Sequence, residues 1–83
     1  MLHVLFSQVA IPGWVLTEDE FLCQIDMLAA DGFAGTPAGR VSVEAVDELD
    51  RIQWRAYFPN ASSLVILARQ IREGRAAAGN GHG

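Results

Sequence analysis

The sequence predicts an all-α domain, a small bundle of three main helices at about 17–31, 42–58 and 61–73 with a short element before them over residues 1–11. Thr17-Glu18-Asp19-Glu20 is a capping box, in which the Thr17 hydroxyl accepts the backbone N–H three residues on and Glu20 reaches back to that of Thr17. In each of the three segments apolar residues recur at the three- and four-residue spacing of a helix face. Pro59 marks where the second helix must stop, because its ring clashes with a helical predecessor.

Residues 1–11 fit two patterns. Leu2, Leu5, Phe6 and Val9 match a helical stripe, whereas Val4, Phe6, Val9 and Ile11 suit a buried strand. A strand needs a partner, and Arg40-Val41-Ser42-Val43 is the other candidate run, so helix is favoured over strand. Pro12-Gly13 then breaks the chain.

The helix begun at Thr17 has an acidic first turn that suits its dipole and ends near Gly32. Phe21, Ile25 and Leu28, flanked by Leu22 and Ala29, form its main stripe; Cys23, Met27 and Ala30 form a second on the opposite side. Residues 33–40, rich in Gly, Ala, Thr and Pro, read as a connection. The helix over 42–58 is favoured by Glu44 and by the Asp47–Arg51 pair at i, i+4. Asn60 or Ser62 caps the last helix, whose stripe is Leu64, Leu67, Ala68 and Ile71. Gly74 weakens that helix, leaving 1–74 as one helical domain and 75–83 as a flexible tail.

The second helix carries a conflict. At about 100° per residue, Ala45, Leu49, Ile52 and Ala56 share one apolar arc, and Trp54 and Phe58 fall outside it beside Asp47 and Arg51. Two large rings off the core arc need a second surface, supplied by residues 1–11, by Trp14 or by another molecule.

Composition narrows the functional classes. The net charge of −4 is divided unevenly: residues 1–50 hold nine carboxylates against Arg40, and residues 51–83 hold five arginines against Glu73. The two halves should attract each other within the fold. A single cysteine, Cys23, makes no internal disulfide, which points to a reducing compartment; the start lacks the basic segment of a signal peptide and the apolar stretch is broken at Pro12. A cytoplasmic protein without a membrane span is expected.

Chemistry finds little to use. The histidines, His3 and His82, lie near the ends of the chain, and Cys23 has no base beside it, so no catalytic residue is expected. No Cys/His spacing matches a zinc site, and Gly32, Gly35 and Gly39 lack the phosphate-loop pattern, so no metal or cofactor is expected either. A helix-turn-helix at residues 60–75, with Arg69, Arg72 and Arg75 toward DNA, is the alternative; against it, Ser62 to Ile66 would enter the groove first and are mostly apolar. The expected function is therefore non-enzymatic protein binding, by an accessory, adaptor or inhibitor protein whose partner is another protein or a second copy. Trp54, Phe58, Arg51 and Arg55 have the residue types of interface hot spots, and Cys23 and Met27 offer a second apolar patch.

Residues 48–58, Glu-Leu-Asp-Arg-Ile-Gln-Trp-Arg-Ala-Tyr-Phe, resemble the Trp-x-Ala-Tyr segment of tailed-phage tail assembly proteins. The likeness implies a small phage-type accessory protein and carries no functional residue over.

Overall fold

The structure, a computed structural model, describes residues 1–7 and 13–80, with only the backbone of residues 79 and 80. Val9, Ile11, Pro12 and His82 lie outside the described residues. The chain is not an all-α bundle: four strands form one antiparallel sheet, and two helices follow in the order β1 Leu2–Phe6, β2 Trp14–Leu16, α1 Glu18–Ala30, β3 Val41–Val46, β4 Ile52–Phe58, α2 Leu64–Asn80. The spatial order is β2-β1-β3-β4, so α1 carries the chain across β1.

The largest correction concerns residues 42–58, which form the β3–β4 hairpin and not a helix. The reason lies in a period of two. Val41, Val43 and Ala45 alternate with Ser42 and Glu44, and Trp54, Ala56 and Phe58 alternate with Arg55 and Tyr57. Residues paired directly across an antiparallel ladder share a face, so the pairs Val41–Phe58, Val43–Ala56 and Ala45–Trp54 put all six on one side. The Asp47–Arg51 ion pair exists at 2.9 Å, but it spans the hairpin turn. There the Asp47 carboxylate accepts the N–H groups of Leu49 and Arg51, and Asp50 takes a left-handed conformation with φ 60°.

Residues 1–11 are corrected as well, because Leu2–Phe6 is a strand. Its partner is the run identified in the sequence: Val4 pairs with Val43 and Phe6 with Val41. The β1–β2 ladder sets Val4 opposite Trp14, and the Phe6 and Trp14 rings meet edge to face with centroids 5.0 Å apart.

The helices begin as their caps require. Thr17 accepts from Glu20 N at 3.1 Å while Glu20 Oε1 accepts from Thr17 N at 2.8 Å, which completes the capping box. Asn60 Oδ1 accepts the Ser63 N–H and leads through a 3-10 turn at Ala61–Ser63 into α2. That helix starts later than expected and runs through Gly74 to Asn80.

Both helices lie on the face of the sheet that bears Leu2, Val4, Phe6, Val41 and Val43, and Phe21, Leu22, Ile25, Leu64, Leu67 and Ala68 close the core over it. The two ends of the chain's charge distribution meet across the helices: Arg72 pairs with Asp26 at 2.6 Å, and Arg75 with Asp19 at 2.7 Å and Glu18 at 3.0 Å. These pairs are exposed and screened by solvent, so each contributes little to stability.

Candidate functional site

In a two-layer fold one face of the sheet has no helices over it. Here that face follows from the ladder, where Val15, His3, Glu44 and Arg55 form a row across all four strands and Leu5, Ser42 and Tyr57 form the next. Leu5, Val15 and Tyr57 are exposed, Tyr57 to 74 %. Arg55 holds Glu44 at 3.2 Å and donates to the Tyr57 hydroxyl at 3.5 Å; the hydroxyl and then Glu44 raise its already high pKa, so it stays charged. The face thus mixes apolar and polar side chains, with the charges of Glu44 and Arg55 cancelled inside the chain.

The edges of the sheet differ. β2 is three residues long, a length that gives little purchase to an incoming strand. β4 is seven residues long, and among the described residues no strand lies on its outer side.

Which main-chain groups point out from β4 follows from alternation. Met1 N donates to Val46 O at 3.0 Å and Val46 N to Met1 O at 2.9 Å, while Ser7 N donates to Arg40 O at 3.0 Å. These bonds fix residues 40, 42, 44 and 46 of the middle strand as bonding toward β1, so Val41, Val43 and Ala45 bond toward β4. Their partners Phe58, Ala56 and Trp54 are then satisfied, and the N–H and C=O of Arg55 and Tyr57 face outward, unpaired by any described strand.

A bulge limits the free edge. The pairing steps from Ala45–Trp54 to Val46–Ile52, leaving Gln53 as the extra residue. Its side chain donates to Asp47 Oδ2 at 2.9 Å, which ties this end of β4 into the turn. The straight part of the edge is therefore residues 54–58.

The site residues named from sequence separate into two groups. Trp54, Arg55 and Phe58 share β4, with Arg51 in the turn before it. Phe58 is half-buried and packed on the core, whereas Trp54 is 40 % exposed, opposite the small Ala45 and outside the core cluster. The sheet itself thus covers one of the two rings and leaves the other. Cys23 and Met27 lie on α1, both exposed, Met27 to 62 %. α1 contacts α2 and β2, the strand at the opposite edge, so the two patches are distinct surfaces. Sequence reasoning passed over His3, Glu44 and the edge role of Tyr57; the alternation of Val41-Ser42-Val43-Glu44 was the signal for them.

Beside the end of β4 lies an apolar groove of about 490 Å³, lined by Ser7, Arg40, Val41, Ser42, Tyr57, Phe58 and Pro59. The helix-turn-helix weighed as the alternative at residues 60–75 loses its geometry, since a strand and not a helix precedes Pro59, and Arg72 and Arg75 already hold carboxylates. Among the described residues, no helix is long and apolar enough to cross a membrane.

No family model matches the chain, and no curated protein or solved structure is significantly similar to it.

Asp47 gives the turn beside this edge a pH dependence. The Arg51 main-chain N–H holds its carboxyl below the ordinary value of 3.8; burial opposes it, and the Leu49 N–H and the Arg51 side chain add to the lowering. A carboxyl depressed in the folded state adds stability above its unfolded pKa near 4, and that stability is lost as pH falls through the lower folded value. The Arg51 and Leu49 amide resonances are therefore expected to move at a lower pH than an ordinary aspartate titrates. In Asp47→Asn that acid-limb movement should be absent, and its persistence would assign the titration to another group.

Proposed function

We propose that the chain is a non-enzymatic protein-binding module, an accessory, adaptor or inhibitor protein of the cytoplasm, which takes a strand of its partner along the outer edge of β4. The observation that carries this is Trp54, 40 % exposed on a straight edge whose neighbouring Arg55 and Tyr57 main-chain groups point outward. Strand addition uses such an edge in a stated way: main-chain bonds supply affinity and alternate side chains supply specificity. Trp54 and Tyr57 provide the aromatic anchors, and Arg55 lies between them on the strand.

Natural sheets blunt their edges with Lys, Pro, bulges or short strands. Residues 54–58 contain no Lys, no Pro and no bulge, which supports an edge meant to be covered. A protein partner is favoured over nucleic acid because the arginines at 51, 55, 72 and 75 are all paired with carboxylates of the same chain. An exposed Cys23 suits the reducing conditions of the cytoplasm.

The test is a photo-reactive residue placed at position 55 in the cells that make the protein. Illumination is expected to yield a covalent product with a protein, a second copy included. Tyr57→Pro should remove that product, because proline takes away an outward N–H without touching the bonds to β3. No product at all, or one equally strong in Tyr57→Pro, would overturn strand addition at this edge.

A further inference from the structure

The edge of β4 carries both halves of a two-fold contact. Trp54 is the projecting ring, and the half-buried ring of Phe58 stands on the same face four residues along the same strand, about 13 Å away. An isologous interface requires a self-complementary patch, in which two groups of one copy meet the same two groups of the other in exchanged order. Resting on the strand-addition reading, we infer that the partner of β4 is a second copy of this chain, paired antiparallel about a two-fold axis at Ala56, so that Trp54 of each copy lies against Phe58 of the other.

Three features select that register. The straight part of the edge is residues 54–58, bounded by the bulge at Gln53 and by Pro59, and Ala56 is its midpoint. An axis at Arg55 would oppose two guanidinium groups, a like-charge pairing that destabilises a sheet. An axis at Trp54 would need the outward groups of Gln53 and Arg51, and Arg51 N and O are already bonded to Asp47.

With the axis at Ala56, the outward N–H and C=O of Arg55 meet those of Tyr57 on the other copy, so the free groups of both strands are satisfied. On the open face Arg55 of one copy lies over the Tyr57 ring of the other, a cation–π pairing, and on the helix side Trp54 lies against Phe58. The small Ala56 lets the strands approach at the axis. Charge permits the contact too. Arg55 is held by Glu44 and Arg51 by Asp47 within each chain, so the edge presents no net charge for a second copy to repel. Two sheets joined in this way form one sheet of eight strands with all four helices on one side and the Leu5, Val15 and Tyr57 face on the other.

A strand pair with one ring per copy is a small interface, so dissociation on the order of 10 µM is expected. Sedimentation velocity on the full chain, carrying Cys23→Ser to remove the exposed thiol, should show a monomer–dimer equilibrium between about 1 and 500 µM. Trp54→Ser and Tyr57→Pro should each weaken it about tenfold or more with the far-ultraviolet circular dichroism unchanged. Ala56→Cys should form an intermolecular disulfide under mild oxidation, because facing residues at the axis fall in a non-hydrogen-bonded pair with Cα atoms about 4.5 Å apart. A dimer that survives both edge variants, or that forms no disulfide at position 56, would overturn this pairing. A chain monomeric to 500 µM overturns it also. If that monomer still yields the position-55 product with a protein of another mass, strand addition stands without self-pairing; if it yields none, both fall.

Discussion

Replacing Phe21 by alanine is expected to destabilise the domain by about 4 kcal/mol, the scale found when a fully buried ring is removed from a core that cannot collapse around the space. Phe21 has no exposed surface and sits on α1 among Leu22, Ile25 and the buried residues of β1 and β3. Its described surroundings are held in place: the sheet beneath has ladders on both sides of β1, and α1 is fixed at its start by the capping box. A domain of this length has roughly 4–12 kcal/mol of stability in all, so the variant should be partly unfolded at physiological temperature. The loss should appear as a fall in the thermal midpoint of roughly 20 °C by circular dichroism. Met27→Ala on the same helix, where the side chain is 62 % exposed, should move the midpoint little. A Phe21→Ala cost below about 1.5 kcal/mol would mean that the helix repacks and that the core is less tightly fixed than its burial indicates.

The helices were legible because their signals are local. The box Thr17 to Glu20 specifies a start within a residue, and the stripe Phe21, Ile25, Leu28 is read from that start onward; Phe21, Leu22 and Ile25 are indeed buried and Leu28 packs on the core. The same holds for Leu64, Leu67 and Ala68 on α2. The strands were not legible for a physical reason. A strand's stability resides in its ladder partners, and β1 pairs with residues some forty positions later, which no local window weighs. The spacing of four between Trp54 and Phe58 belongs to both periods: it puts two residues near one face of a helix and on one face of a strand. The i, i+4 ion pair Asp47–Arg51 was equally ambiguous, because a tight turn brings the same two residues together.

The conflict within the helical reading was itself informative. Trp54 and Phe58 fell off the arc of Ala45, Leu49, Ile52 and Ala56 because that arc does not exist. In the hairpin Ala56 stands with both rings, and Leu49 is in the exposed turn. A local rule that fails at the two largest side chains of a segment is evidence against the secondary structure assigned to it. The correction changes the setting of the candidate site. The aromatic and arginine residues stay together, now on a strand edge, and what was read as surplus apolar surface on a helix divides into a core ring, Phe58, and an uncovered one, Trp54. The outward main-chain groups of Arg55 and Tyr57 were invisible in the sequence, since they depend on which ladder each residue joins.

The other large effect is expected from the smallest change, Gly13→Ala. A Cβ at position 13 would collide with the Val4 carbonyl oxygen and lie 3.0 Å from its carbon and 2.8 Å from Leu5 Cδ2. The Leu5 side chain can turn away into solvent, but the Val4 carbonyl belongs to the strand backbone and cannot. The chain entering β2 must therefore move off β1, and β2 is only three residues long, with Trp14 directly after the altered position and opposite Val4. Its detachment would uncover Leu2, Val4 and Phe6 along one side, residues now nearly free of solvent. The cost is expected at about 3 kcal/mol, the upper part of the range for forcing atoms into a packed site. Gly32→Ala separates this steric cause from the general loss of glycine's freedom: Gly32 has a φ of +62° but no atom within 4 Å of the added carbon, so its cost should stay near 1 kcal/mol. Urea denaturation gives the two costs, and the near-ultraviolet dichroism of Trp14, whose ring now meets Phe6 at 77°, should weaken only in Gly13→Ala. Equal costs for the two variants would show that β2 gives way without strain and that this edge of the sheet contributes little to holding the fold.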